Sequence, residues 1–144
     1  MATAVQVTFD CADPERLSRF WVTLLGYQIP DPPDGFATWD LWAKANAIPD
    51  HQMNAARAIE DPDGFGPRIF FQRVPEPKTI KNRVHLDVNV GGGRNTPLEE
   101  RRKRVHAEVE RVIGLGASKV GPVEQGEDYW VVMQDPEGNE FCLQ

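Results

Sequence analysis

The sequence is poor in cysteine and in positive charge, and it has no apolar run of the roughly 20 residues that a membrane helix needs. Cys11 and Cys142 each lie in or beside an apolar strand pattern, where reduced cysteines are typical, so no disulfide is expected. A net charge of -6 argues against partners such as nucleic acid or an anionic membrane, which attract clustered Lys and Arg. Because the first residues lack a secretion-signal pattern, we expect a cytoplasmic protein.

The 144 residues have the size of one compact domain, and the second half repeats the features of the first half in the same order. Residues 4–11 alternate as a half-buried strand and lead into an amphipathic helix, which Asp13 and Pro14 begin and Gly26 ends. Residues 83–90 predict the corresponding strand, and a second amphipathic helix follows it. The duplication predicts two similar modules.

Each half also ends in the same kind of turn. Asp61-Pro62-Asp63-Gly64 and Asp135-Pro136-Glu137-Gly138 both precede a short apolar strand, and Asp-Pro-x-Gly is typical of a tight turn between paired strands. In the first half we expect a strand over 38–42 before this turn, followed by an Ala-rich insertion that forms one or two short helices over about 43–60.

These patterns predict an α+β fold of two strand-helix-strand-strand-strand (βαβββ) modules within a single domain over residues 1–144. Module 1 covers about residues 1–75, including the insertion, and module 2 covers about residues 82–144. Between them, Pro75 and Pro77 favour an extended connector.

Together with these features, the segments 71–78 and 81–87 are similar to the central signature of glyoxalase-like domains. The whole chain resembles the vicinal oxygen chelate superfamily, which includes glyoxalase I, bleomycin-resistance proteins and extradiol dioxygenases. The resemblance implies paired curved sheets that form a cup, in which a substrate sits on or near a divalent metal. It also implies metal ligands on the first and last strands of each module.

Matching the two halves places those four positions at Gln6, Phe70, His85 and Cys142. Gln6 and His85 are the only plausible ligands among them, because a phenyl ring offers no donor and a thiol needs a lowered pKa to bind a divalent cation. We therefore commit to no metal ligand. The cofactor stays unknown, and this set of side chains disfavours a divalent metal without excluding it.

His85 is the candidate catalytic residue, since imidazole suits proton transfer near neutral pH; a buried histidine bonded to the opposite sheet is the alternative. Asp87 lies two residues further along the same strand face, where it either orients His85 or stands as a carboxylate at the sheet edge. We expect Cys142 to be a core residue or a ligand contact.

Further ligand contacts are expected from aromatic residues that suit a flat organic molecule, namely Trp39, Trp42 and Trp130. Trp39 and Trp130 occupy comparable places before the two turns. His51, inside the insertion, either closes over a ligand or lies on the surface. Lys78, Lys81 and Arg83 either attract an anionic ligand or are simply solvated.

Two functions follow from the resemblance and from these residues. The first is a glyoxalase-like small-molecule enzyme, a lyase, isomerase or relative, that acts on a carbonyl- or hydroxyl-bearing compound. The alternative is a non-catalytic protein that binds and sequesters a small molecule, as bleomycin-resistance proteins do. A regulatory domain with an empty cup is a third possibility, and a homodimer is expected.

Overall fold

The computed structural model describes all residues, Met1–Gln144, as two compact units, Met1–Pro77 and Lys78–Gln144. The first unit contains β1 (Gln6–Cys11), α1 (Pro14–Leu25), α2 (Trp39–Ala45), a 3-10 turn (Asp50–Gln52), β2 (Ala56–Ile59) and β3 (Arg68–Arg73). The second contains β4 (Asp87–Val88), α3 (Leu98–Gly114), β5 (Ser118–Gln125), β6 (Asp128–Gln134) and β7 (Glu140–Leu143). No helix is both long enough and apolar enough to cross a membrane.

The first unit builds a three-stranded sheet in the order β1-β3-β2, with β1 parallel and β2 antiparallel to β3. Alternation along the strands turns Val7 and Phe9 toward α1 and leaves Gln6 and Thr8 exposed on the other face. Phe9 lies 5.1 Å from the ring of the fully buried Trp21 and 5.4 Å from that of Phe71. This aromatic group is the centre of the unit's core.

The second unit builds a four-stranded sheet in the order β4-β7-β6-β5, again with one parallel pair, β4 and β7. Helix α3 packs against the face of this sheet that carries Val131 and Met133, and contributes Val105, Val109 and Val112. All five side chains are buried. The other face of the sheet stays partly open.

The predicted duplication is visible in the strand pairing. In each unit the first strand runs parallel to the last, and the last strand is antiparallel to the strand before it. In the second unit β6 also pairs with β5. The corresponding contact in the first unit is an isolated bridge between Gln28 and Glu60, next to the end of β2. Thr8 pairs with Phe70 as Asp87 pairs with Cys142, so Gln6 and His85, two residues earlier, are equivalent positions.

Both predicted turns are confirmed as hairpin connections, β2 to β3 and β6 to β7. Gly64 and Gly138 have positive φ angles of 72° and 85°, which glycine adopts without strain. The carboxylates of Asp61 and Asp135 accept hydrogen bonds from the backbone N–H groups of the turns that follow. These side chains hold each turn closed.

Three expectations about the elements were wrong in detail. Residues 38–42 do not form a strand, because Thr38 caps helix α2 by accepting a hydrogen bond from the backbone N–H of Leu41. The strand before the first turn is instead β2, inside the segment 43–60 that was expected to be helical. The strand expected at 83–90 shortens to β4, opposite the end of β7.

Replacing Trp21 by alanine should strongly destabilise the first unit, because it leaves a large cavity beside Phe9 and Phe20. We expect the free energy of unfolding to fall by about 3–5 kcal/mol, as is usual for a buried tryptophan, in chemical denaturation followed by circular dichroism. Trp39→Ala is the matched control, since Trp39 is 41% exposed and should cost much less. Equal losses in the two variants would contradict this assignment of the core.

Candidate functional site

The candidate site lies on the open face of the sheet in the second unit. Along β6, alternation directs Tyr129, Val131 and Met133 toward helix α3, so Trp130 and Val132 project from the opposite face. On β7, Glu140 and Cys142 project in the same direction as this pair, since all four residues line one pocket. The strand period therefore assembles an aromatic, an aliphatic, an acidic and a thiol side chain on one surface.

This pocket has a volume of about 260 Å³, a little below the range of about 300–1,000 Å³ that is usual for ligand sites. Its size suits a compound of few atoms. Eight side chains, all from the second unit, form its wall: Lys81, His85, Asp87, Trp130, Val132, Glu140, Cys142 and Gln144.

His85 and Asp87 form a hydrogen-bonded pair in this wall. The Nδ1 atom of His85 lies 2.8 Å from Oδ1 of Asp87, and the two side chains are 42% and 43% exposed. Because a carboxylate only accepts hydrogen bonds, Nδ1 is the nitrogen that carries the proton. The lone pair of the neutral imidazole is then on Nε2, where it can accept a proton from a ligand.

Cys142 is a buried thiol beside this pair, with its Sγ atom 4.0 Å from Nδ1 of His85. Burial, the negative charge of Asp87 and a hydrogen bond with Asp87 raise the pKa of the Cys142 thiol to about 11, although the Lys81 ammonium opposes the shift. At neutral pH the thiol is protonated and therefore a poor nucleophile. The protonated thiol packs against the pair and hydrogen-bonds Asp87.

Glu140 anchors the segment that leads into the site. One carboxylate oxygen accepts a hydrogen bond from the backbone N–H of Asn82 at 2.9 Å, and lies 3.2 Å from the Lys78 ammonium. Burial acts to raise the pKa of Glu140, but the backbone N–H groups of Asn82 and Glu140 and the Lys78 side chain outweigh it and lower the pKa to about 2. Glu140 is thus a charged clamp on residues 78–82.

The pocket brings together three of the expected site residues, His85, Trp130 and Cys142. The other five lie in the first unit, where Gln6 and Phe70 share a neighbour. The Arg68 guanidinium donates a hydrogen bond to the Gln6 side chain and lies 5.5 Å from the centre of the Phe70 ring. These two side chains already have a partner in their own sheet.

Trp39 and Trp42 contact each other edge to face at 5.5 Å in helix α2, and the Trp39 indole donates to the backbone O of Pro30. Trp39 therefore does not occupy a place comparable to Trp130, which is on a strand. His51 is exposed in the 3-10 turn, and its backbone O accepts a hydrogen bond from Arg73.

Sequence reasoning left the role of Asp87 open and did not single out Glu140. The signal for both was present, because each lies two residues from a candidate, Asp87 from His85 and Glu140 from Cys142, and such residues share one face of a strand. What the sequence did not reveal is that Glu140 reaches back to Asn82, since that contact joins residues 58 positions apart.

The donor atoms of the cluster do not fit the divalent metal that the resemblance implies. The donor atoms of His85, Asp87 and Cys142 lie within 4.8 Å of one another. Two ligand atoms bound to one tetrahedral metal ion are about 3.3 Å apart. The distance of 2.8 Å between Nδ1 of His85 and Oδ1 of Asp87 is shorter than this and is that of a hydrogen bond. A soft thiol also mismatches a hard cation such as Mn²⁺. At the equivalent positions of the first unit, Gln6 is engaged by Arg68 and Phe70 has no donor.

Glu140 should make the stability of the protein depend on acid. A carboxyl whose pKa falls from 4.5 to about 2 on folding stabilises the native state above pH 4.5, and this contribution is lost as the pH falls through about 2. The difference corresponds to roughly 3 kcal/mol at neutral pH. In Glu140→Gln we expect the free energy of unfolding to be lower at pH 7 and to change less between pH 5 and pH 2 than in the wild type.

The exposed Glu110→Gln change on α3 is the matched control for the loss of one negative charge. It should leave the slope of stability against pH close to that of the wild type. An unchanged slope in Glu140→Gln would show that the clamp does not form.

Comparisons with known proteins agree with this architecture. A family profile described as a glyoxalase-like domain matches residues 6–144. Comparison with curated proteins gives no match. Among solved structures, a glyoxalase/bleomycin resistance protein/dioxygenase family enzyme from Burkholderia phytofirmans PsJN is 20% identical, with a TM-score of 0.63 over 99% of this chain and 97% of that chain.

Two fosfomycin resistance proteins are similar as well. FosX from Mesorhizobium loti is 13% identical, with a TM-score of 0.62 over 100% of this chain and 91% of that one. A mutant of FosX from Listeria monocytogenes, complexed with Mn(II) and a dihydroxypropylphosphonic acid, is 12% identical, with a TM-score of 0.63 over 100% and 90% of the two chains. At such identities the structures show a shared fold. The profile, which matches residues 6–144, shows that the chain belongs to the glyoxalase-like domain family.

Proposed function

We propose that this protein is a small-molecule enzyme that moves a proton on a carbonyl- or hydroxyl-bearing compound, with His85 as the acid–base residue. The observation that carries the proposal is the hydrogen bond of 2.8 Å between His85 and Asp87 in the wall of a pocket of about 260 Å³. A histidine oriented by a carboxylate is a recurrent device of acid–base catalysis, because it fixes which ring nitrogen takes up the proton.

In this reaction Nε2 of His85 accepts a proton from the carbon or hydroxyl next to a carbonyl group. Asp87 holds the ring through Nδ1 and stabilises the imidazolium that forms. The imidazolium then gives this proton to a different atom of the same intermediate, which completes an isomerisation. Alternatively it exchanges the proton with water and returns a solvent-derived proton to the atom it left, which produces exchange with solvent. Neither outcome needs an oxidant, a reductant or a metal.

The walls of the pocket support a compound with a short carbon skeleton. Trp130 and Val132 provide an apolar surface on one strand, and the neutral thiol of Cys142 adds another apolar contact. Apolar walls with a few polar groups are typical of small-molecule sites. Trp130 and Cys142 are therefore proposed as ligand contacts, and His85 as the catalytic residue.

A second candidate function is binding without turnover. It is favoured by the aromatic pair Trp39 and Trp42, since tryptophans 5.5 Å apart with one of them 41% exposed provide a surface for a planar compound. Under this alternative the five candidates of the first unit, Gln6, Trp39, Trp42, His51 and Phe70, are contacts to a sequestered ligand. A ligand that raises the melting temperature without being turned over distinguishes it.

Proton exchange with solvent tests the catalytic proposal without knowledge of the product. The protein is incubated in D₂O with pyruvate, hydroxyacetone, glyceraldehyde and lactaldehyde, and deuterium uptake beside the carbonyl is followed by proton NMR. We expect exchange of at least one compound above the buffer rate. In His85→Ala the rate should fall by roughly 10²- to 10⁴-fold, the usual contribution of a positioned acid–base group.

His106→Gln is the matched control in the same unit. His106 lies on α3 and hydrogen-bonds the Tyr129 hydroxyl on the helix-covered face of the sheet, so exchange should continue in this variant. Circular dichroism of both variants checks the fold. If the wild type exchanges no compound faster than His85→Ala does, the catalytic proposal is wrong.

A further inference from the structure

The charged groups around the pocket differ in how well other residues partner them. Two carboxylates and one ammonium line its wall, those of Asp87, Glu140 and Lys81. Glu140 is neutralised by Lys78 and by the backbone of Asn82, and Asp87 is hydrogen-bonded to His85. The Lys81 ammonium, in contrast, makes its hydrogen bond to the backbone O of Asn82 at 3.4 Å, which is long for a charged donor.

Lys81 is also held near the reacting groups. Glu140 binds Lys78, three residues before Lys81, and Asn82, the residue after it. The Lys78 ammonium also donates a hydrogen bond to the backbone O of Ile80, the residue before Lys81. Its charge is close enough to act on the Cys142 thiol, which lies beside His85. The chain from 78 to 82 is therefore anchored in a way that keeps an unneutralised cation at the pocket.

From this arrangement we infer that Lys81 binds an acid group of the substrate, so that the substrate class is a small carboxylate bearing an oxo or hydroxyl group. The inference rests on the proposed function and specifies which compounds the same site takes. It extends the candidate set to a residue that touches the ligand but takes no part in proton transfer.

The two ends of the pocket then orient the ligand. The acid group binds to Lys81 and avoids the negative charge of Asp87, while the carbon that gives up its proton, next to the oxo group or bearing the hydroxyl, is left for Nε2 of His85. Trp130 and Val132 contact the carbon atoms between these ends. The small volume of about 260 Å³ limits the chain to a few carbons.

Binding of matched acids and amides tests the inference separately from catalysis. Pyruvate, lactate and glyoxylate are compared with pyruvamide and lactamide by isothermal titration calorimetry and by shifts of the melting temperature. We expect the acids to bind the wild-type protein at least tenfold more tightly than the amides, because a charged hydrogen bond contributes enough for one power of ten. Added salt should weaken the binding of the acids and leave the binding of the amides unaffected.

Lys81→Met should remove this preference: its affinity for the acids should fall at least tenfold, and its affinity for the amides should not change. Lys81→Arg should restore it in part, and Lys103→Met, on the exposed face of α3, should keep it in full. The inference would be overturned by any of three results. These are equal affinity of the wild type and Lys81→Met for the acids, equal affinity of the wild type for acids and amides, or no binding of any acid to the wild type. Acid binding that depends on Lys81 without deuterium exchange would uphold it and refute the catalytic proposal alone.

Discussion

The parallel pairing of β4 with β7 is the constraint on which the rest of the site depends. It sets Asp87 opposite Cys142 and so places His85 within 4.0 Å of the thiol. A shift of this register by one residue would turn His85 and Asp87 away from Trp130, because the side chains of a strand alternate between its faces. Strand β4 has only two residues, and hydrogen bonds from Cys142 to Leu86 and from Gln144 to Val88 hold it in place.

The same pairing occurs in the first unit, but with different chemistry. There Thr8 and Phe70 take the places of Asp87 and Cys142, and Gln6 takes the place of His85. An amide and a phenyl ring provide neither a base nor a charged partner for one. The chain thus contains two copies of one scaffold, of which only the second carries the hydrogen-bonded pair of His85 and Asp87. This agrees with the general rule that function belongs to sites and not to folds.

The sequence predicted the architecture well because nearby residues determine where most helices, strands and turns begin and end. Asp13 and Pro14 begin α1 as expected, and Gly26 ends it with a φ angle of 69°. The same local reasoning failed at residues 38–42, where Trp39 and Trp42 suggested a strand although Thr38 is a good helix cap. The site was predictable only where residues lie two positions apart in the chain, as His85 and Asp87 do. The clamp of Glu140 on Asn82 depends on tertiary folding, which no local pattern reports.

The resemblance implies a divalent metal, but the donor atoms of His85, Asp87 and Cys142 do not fit one. The pair of His85 and Asp87 provides a base that is oriented by a carboxylate, and Cys142 stays protonated since its pKa is raised to about 11. Under the proposed function, a glyoxalase-like fold carries proton chemistry that its own side chains perform. In the inference drawn above, Lys81 adds a charge that selects the ligand, and Glu140 holds the segment 78–82 that contains it.

The protonation state of the His85 ring tests this account most directly. Long-range ¹H–¹⁵N correlation NMR distinguishes a proton on Nδ1 from one on Nε2 in the neutral imidazole. We predict the Nδ1–H form for His85 in the wild type, and an increased share of the Nε2–H form in Asp87→Ala, where the carboxylate acceptor is gone. A wild-type His85 that carries its proton on Nε2 would contradict the account, because the nitrogen assigned to the reaction would then have no lone pair to accept a proton.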